Sequence, residues 1–133
     1  MNKLFLTFLA VLLLTGCQAL QTQSSDYSQV EFSPETAVHM KVRNITQGRT
    51  EGDLLRVAVL VHNSRTMADN YFFRFIWLDK DGLEVQGLSS RWEAIVSTGL
   101  DDALVISRIA SNPDVVDYRL LISDKPGMNT APE

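Results

Sequence analysis

Residues 71–78 read YFFRFIWL, and this stretch constrains the fold more than any other in the chain. As a strand it puts Phe73, Phe75 and Trp77 on one face and Phe72, Arg74 and Ile76 on the other. As a helix it would scatter the same three aromatics around the circumference, so a strand with an aromatic core face is predicted. Asp79-Lys80-Asp81-Gly82 then supplies a tight turn in which Gly82 can take positive φ. Leu83 to Leu88 is expected to return as the hairpin partner.

Further strand signals surround it. Leu55, Val57, Val59 and Val61 alternate with Arg56, Ala58, Leu60 and His62, which predicts a long strand with one strongly buried face. Ala37 to Arg43 alternates weakly. Weaker strands are expected near Trp92–Ser97 and Asp102–Ile109, and Val116–Ile122 closes the set. Turn residues fall at Asn63-Ser64, Gly99–Asp101 and Ser111–Asp114. About seven antiparallel strands without a long helix predict an all-β, immunoglobulin-like β-sandwich. The usual inter-sheet disulfide is impossible, because the 133 residues contain a single cysteine.

That cysteine explains the N-terminus. Met1-Asn2-Lys3 is a short basic region, and Leu4 to Leu14 is apolar except for Thr7. Eleven residues reach only about 17 Å as a helix, short of a bilayer core of roughly 30 Å, so the segment reads as a signal peptide. Leu14-Thr15-Gly16-Cys17 resembles a bacterial lipobox, in which the thiol of Cys17 receives a diacylglycerol and the freed amine is then acylated. Several acyl chains meet the need for more than one lipid signal in stable anchoring. Gln18 in the second mature position fits sorting to the outer membrane, where Asp would favour inner-membrane retention.

The expected organisation is therefore signal peptide (1–16), lipidated Cys17 with a flexible tether (17–36), sandwich domain (37–123) and a disordered tail (124–133). The tether is Gln- and Ser-rich, and its root-mean-square reach is about 25 Å.

Composition narrows the partners. A net charge of −4 with scattered basic residues does not suit a polyanion, so no nucleic acid is expected. His39 and His62 are the only imidazoles, and with no spare thiol they make a zinc site improbable. Asp79, Asp81 and Glu84 suggest a calcium loop, but Gly82 falls at its fourth position instead of the sixth, and Ser90 stands where the final Glu belongs. The sequence lacks G-x-S-x-G and a free catalytic thiol, and Asp101-Asp102 lies in a turn, pointing apart if extended. No enzyme activity, metal or cofactor is expected beyond the lipid on Cys17.

The strand ending Leu60-Val61-His62-Asn63, then Phe73-Arg74-Phe75-Ile76-Trp77-Leu78-Asp79 with Gly82, and the later Ile109–Asp114 running into Tyr118-Arg119-Leu120, resemble the YcfL-like lipoproteins. That resemblance covers about residues 37–123. It implies a small Gram-negative outer-membrane lipoprotein with an immunoglobulin-like fold, without catalytic residues to transfer. Members often occur near genes for a lipoprotein activator of cell-wall synthases, which implies cell-wall synthesis machinery as a partner class.

The expected role is a non-enzymatic lipoprotein facing the periplasm that binds another envelope protein. The candidate interaction surface is Phe72, Arg74 and Ile76, an apolar face with a cationic centre, with Arg56 and Arg119 as possible extensions. The bland alternative is a solvated Arg74 packing over its neighbours. A second role is peptidoglycan or glycan binding through exposed Trp92 and Tyr71. A third is purely structural.

Overall fold

The computed structural model describes residues 27–127. The signal peptide, Cys17, most of the tether and residues 128–133 lie outside them. Seven strands form two sheets: β1 (Val30–Phe32), β2 (Met40–Arg49), β3 (Leu55–Asn63), β4 (Asp69–Leu78), β5 (Glu93–Ser97), β6 (Asp102–Ile109) and β7 (Asp117–Ser123). One sheet has the order β1-β7-β4-β5 and the other β2-β3-β6. With β3 and β6 in one layer and β4 and β7 in the other, the connections cross between layers as in an immunoglobulin-like sandwich. Among the described strands, only the β1–β7 pair is parallel.

Alternation in β3 and β4 builds the core. Val57, Val59, Val61 and Phe75 are fully buried, and Phe73 and Trp77 nearly so. Phe75 stacks on Trp77 with ring centres 4.8 Å apart, and Tyr118 from β7 packs against both rings. Each such side chain contributes about 1.5–3 kcal/mol of burial, which substitutes for the missing disulfide.

Several boundaries differ from expectation. The tether does not extend to Thr36: Val30 joins the core, Ser33 N–H donates to Ile122 O at 2.9 Å, and Pro34–Ala37 form one helical turn, α1, entered through Pro34. Three residues of parallel pairing leave no local periodic signal, which is why the sequence conceals them. At the other end, Asp124 accepts from Ser33 Oγ at 3.3 Å, so the chain remains docked beyond Ser123. β2 starts at Met40 instead of Ala37 and runs on through the mostly polar residues 44–49, where Ile45 alone packs against the core, with a bulge between Val42 and Asn44.

The hairpin expected after Gly82 is reduced to one bridge, Leu78 to Glu84, with Val85 N–H bonded to Trp77 O. Leu83–Leu88 is no strand. The chain instead passes along β4 into a 3₁₀ turn at Leu88–Ser90, and β4 takes β5 as its partner.

Candidate functional site

The face of Phe72, Arg74 and Ile76 is outward, as the alternation requires, but it is partly roofed. All three are half-buried. Arg74 Nε donates to Ser90 O at 2.8 Å, and its terminal nitrogen pairs with Glu84 at 2.7 Å. These bonds fasten the long β4–β5 connection to the sheet. Opposite Arg74 on β7, Leu121 is buried, and Arg119, opposite Ile76, pairs with Glu31 of β1. Arg119 therefore extends this face, but its charge is matched. Arg56 lies on β3, in the other sheet. A bare cationic centre is not what the structure places here.

The remaining singled-out residues have local structural partners. Asp79 Oδ1 accepts from the N–H groups of Asp81 and Leu83, both at 2.9 Å, which closes the Gly82 turn. His39 Nε2 lies 2.9 Å from Tyr71 Oη, and burial followed by the nearby Arg65 charge lowers the imidazole pKa below 6.5. His62 pairs with Asp101 at 2.8 Å. Asp102 turns away to accept from Thr98 N–H and Oγ1, bonds that hold its carboxyl below the usual range. Tyr71 is fully buried, so it cannot stack on a sugar; Trp92 is half-buried. The glycan reading loses one of its two platforms.

Sequence reasoning missed a cluster at one pole of the sandwich. Three segments meet there through backbone hydrogen bonds. Ser64 N–H donates to His39 O at 2.9 Å, Leu100 N–H to Thr66 O at 3.2 Å, and Asp101 N–H to Arg65 O at 3.4 Å. Asn63, fully buried, donates to Ser97 Oγ at 2.9 Å and stiffens the base of this cap. On it Val38, Met67 and Leu100 are 81%, 77% and 81% exposed. Leu100 and Asp101 have φ of 59° and 65°, directly after Gly99 at 77°. Left-handed backbone at a bulky residue costs about 1 kcal/mol, so an apolar side chain is held out to solvent at an energetic cost. The only sequence signal was Leu100 within the Gly99–Asp101 turn, where a polar residue is the usual choice.

A recess of about 450 Å³ beside Met67 is lined by Arg65 to Asp69, and its two charges pair with each other. Among the described residues, no group of three or more His, Cys, Asp or Glu is placed to hold a metal ion.

Against known proteins, a family model described as "Protein of unknown function (DUF1425)" matches residues 22–124. The chain belongs to this family. A second model, for a prokaryotic membrane lipoprotein lipid attachment site, matches residues 1–18 and takes in Cys17. The protein is thus a lipoprotein with a lipid-anchored membrane location. No curated protein matches. Among solved structures, cj0090 of Campylobacter jejuni is 22% identical, with 73% of this chain and 98% of that one covered and a TM-score of 0.58. A DUF1425 family member from Shewanella sp. pv-4 is 16% identical, with 68% and 81% covered and a TM-score of 0.56. These likenesses show the fold.

Proposed function

We propose that this lipoprotein is a non-enzymatic adaptor of the YcfL-like kind, held by Cys17 in the outer membrane with its sandwich in the periplasm. There it binds another envelope protein. The observation that carries this reading is the cap of Val38, Met67 and Leu100, three exposed apolar side chains on segments locked by backbone hydrogen bonds. Exposed apolar groups on a rigid, locally strained backbone suit recognition of a protein surface. The Phe72–Ile76 face is the lesser candidate, because its arginine is already paired. Gln18 supports the outer-membrane address. Confinement near a membrane raises effective concentration, so a modest affinity suffices. Cell-wall synthesis machinery is the partner class that the resemblance implies.

The test is photo-crosslinking in cells from Leu100 and from Ile76, followed by mass spectrometry. One dominant protein adduct from Leu100 is expected. Adducts to glycan, or none from either position, would overturn the adaptor reading. Cys17→Ala should abolish palmitate labelling and release the protein from the outer-membrane fraction.

A further inference from the structure

The two outer faces of the sandwich differ. That of the β4 sheet is partly roofed by the β4–β5 connection, and its Arg74 and Arg119 are both paired. The outer face of the β2-β3-β6 sheet lies open. Because Val57, Val59 and Val61 point into the core, Arg56, Ala58, Leu60 and His62 point outward. The ladders set Asn44 and Val105 beside Leu60, and Thr46 and Ser107 beside Ala58. The end rows are Lys41, His62 and Ala103 next to the cap, and Gly48, Arg56 and Ile109 at the far end. Val105 is 63% and Ile109 40% exposed.

This pattern is complementary to itself. A two-fold axis across the strands at the level of Val59 lays the Leu60 row of one copy on the Ala58 row of another, and the His62 row on the Arg56 row. Large residues then meet small ones: Leu60 meets Ala58, Val105 meets Ser107, and Ile109 meets Ala103. Lys41 meets Gly48, where an added Cβ would find nothing within 4 Å, so there is room for the lysine stem. Arg56, which has no ion pair among the described residues, meets Asp101, whose carboxylate lies over the same strand, 2.8 Å from His62. Aligned sheets cross at about 30°, which shifts partners little near the axis, and the long Arg56 side chain absorbs the larger shift at the ends. An axis along the strands does the opposite. It stacks Leu60 on Leu60 and Arg56 on Arg56, like on like.

The point of anchorage selects the same arrangement. Tyr27, ten residues after Cys17, donates its hydroxyl to Arg43 O on β2 at 3.0 Å, so the chain enters at the β2 edge. With the axis across the strands, both β2 edges lie at one end of it, and both lipids can enter a single membrane. Ten residues span up to about 35 Å, enough for each.

We propose that this face is the interface of a homodimer, in which two β2-β3-β6 sheets pack face to face with strands antiparallel and both β2 edges toward the membrane. The dimer goes beyond the adaptor reading and does not depend on it; the pair carries one cap at each end. Three strands by four rows make a modest interface, and confinement of both copies to one membrane raises their effective concentration enough to fill it.

Sedimentation of the full lipidated chain in detergent is the first test, and particles of two chains are expected. Val105→Glu and Arg56→Glu, both at exposed positions, should each weaken association about tenfold, with the circular dichroism of the folded domain retained. One chain per particle at every concentration overturns the proposal. Two-chain particles that survive both substitutions report shared micelles and overturn it too. In cells, photoreactive residues at Thr46 and at Ser107 should each give an adduct of twice the chain mass, Thr46 joined to β2 of the second copy and Ser107 to its β6. Adducts joining Thr46 to β6 overturn this two-fold axis. Adducts from both probes to a different protein alone overturn the dimer and leave the adaptor reading standing. The expected self-adducts, with no other protein captured from Leu100 or Ile76, uphold the dimer and overturn the adaptor reading.

Discussion

Arg108 on β6 and Glu93 on β5 join the two sheets across their open flank. The guanidinium donates through Nε at 2.9 Å and through a terminal nitrogen, and it lies over the Phe73 ring. The same bonds hold the Glu93 carboxyl below its ordinary 4.5, against the opposing effect of burial. Because the folded value is lowered, the stability from this pair is complete above about pH 4.5 and is lost as pH falls through the folded value. Arg108→Met should destabilise the domain by about 1–2 kcal/mol at neutral pH, since it leaves a half-buried carboxylate unpaired. Denaturant unfolding at pH 7 and pH 3 checks this. The difference between wild type and variant should shrink at the lower pH.

His39 supplies a second pH dependence, at higher pH. Its pKa is lowered by burial first and by Arg65 second, so the folded state binds fewer protons than the unfolded chain just below pH 6.5. Stability is therefore complete above 6.5 and declines as pH falls through the lowered value. His39→Gln keeps a polar partner for Tyr71 Oη and should flatten this decline between pH 7 and 5. Melting temperatures across that range provide the measurement. An unchanged slope in His39→Gln would assign the dependence to another group.

Tyr118 Oη is buried without a hydrogen-bond partner, and burial pushes its pKa up to about 12. The ring packs on Phe75 and Trp77, so the aromatic body accounts for the residue's place in the core and the hydroxyl adds nothing there. Tyr118→Phe should be neutral or stabilising by up to about 1 kcal/mol, because it removes an unsatisfied polar atom. Loss of stability on urea unfolding would mean that the hydroxyl has a partner in solution.

The core was legible in the sequence because alternation is a physical consequence of the pleat. Phe73, Phe75 and Trp77 had to share a face, and Val57, Val59 and Val61 another. β1 was hidden because its parallel partner lies about ninety residues away, Val30 opposite Leu120. β2 was cut short because residues 44–49 are mostly polar at a sheet edge, with Ile45 the one apolar residue that marks the buried face. The fate of Arg74 was undecidable, since its partners Glu84 and Ser90 depend on how the β4–β5 connection folds back. The cap was the least legible part. Met67 and Leu100 look like ordinary loop residues until the left-handed backbone and the hydrogen bonds between loops are seen.

Gly99 is the hinge on which that cap depends. Its φ is +77°, and a Cβ there would lie 2.6 Å from Thr66 O and from the Met67 carbonyl carbon, both backbone atoms that cannot swing aside. Gly99→Ala should cost about 2–3 kcal/mol and detach the 98–101 loop from residues 65–67. Faster amide exchange at Leu100 and Asp101, together with a lower melting temperature, would report the detachment.

Leu100 separates stability from binding. At φ 59° a leucine is strained, and at 81% exposure its side chain has little core contact to lose. Asn tolerates the left-handed region, so Leu100→Asn should stabilise the domain by up to about 1 kcal/mol. If the apolar tip is there for recognition, the same substitution should weaken adduct formation from neighbouring Met67 by several-fold, because it replaces a buried apolar contact worth about 1–2 kcal/mol. The two readouts thus move in opposite directions, as expected where strain is retained for function. A variant that is both more stable and undiminished in cross-linking would leave Leu100 with no role in binding.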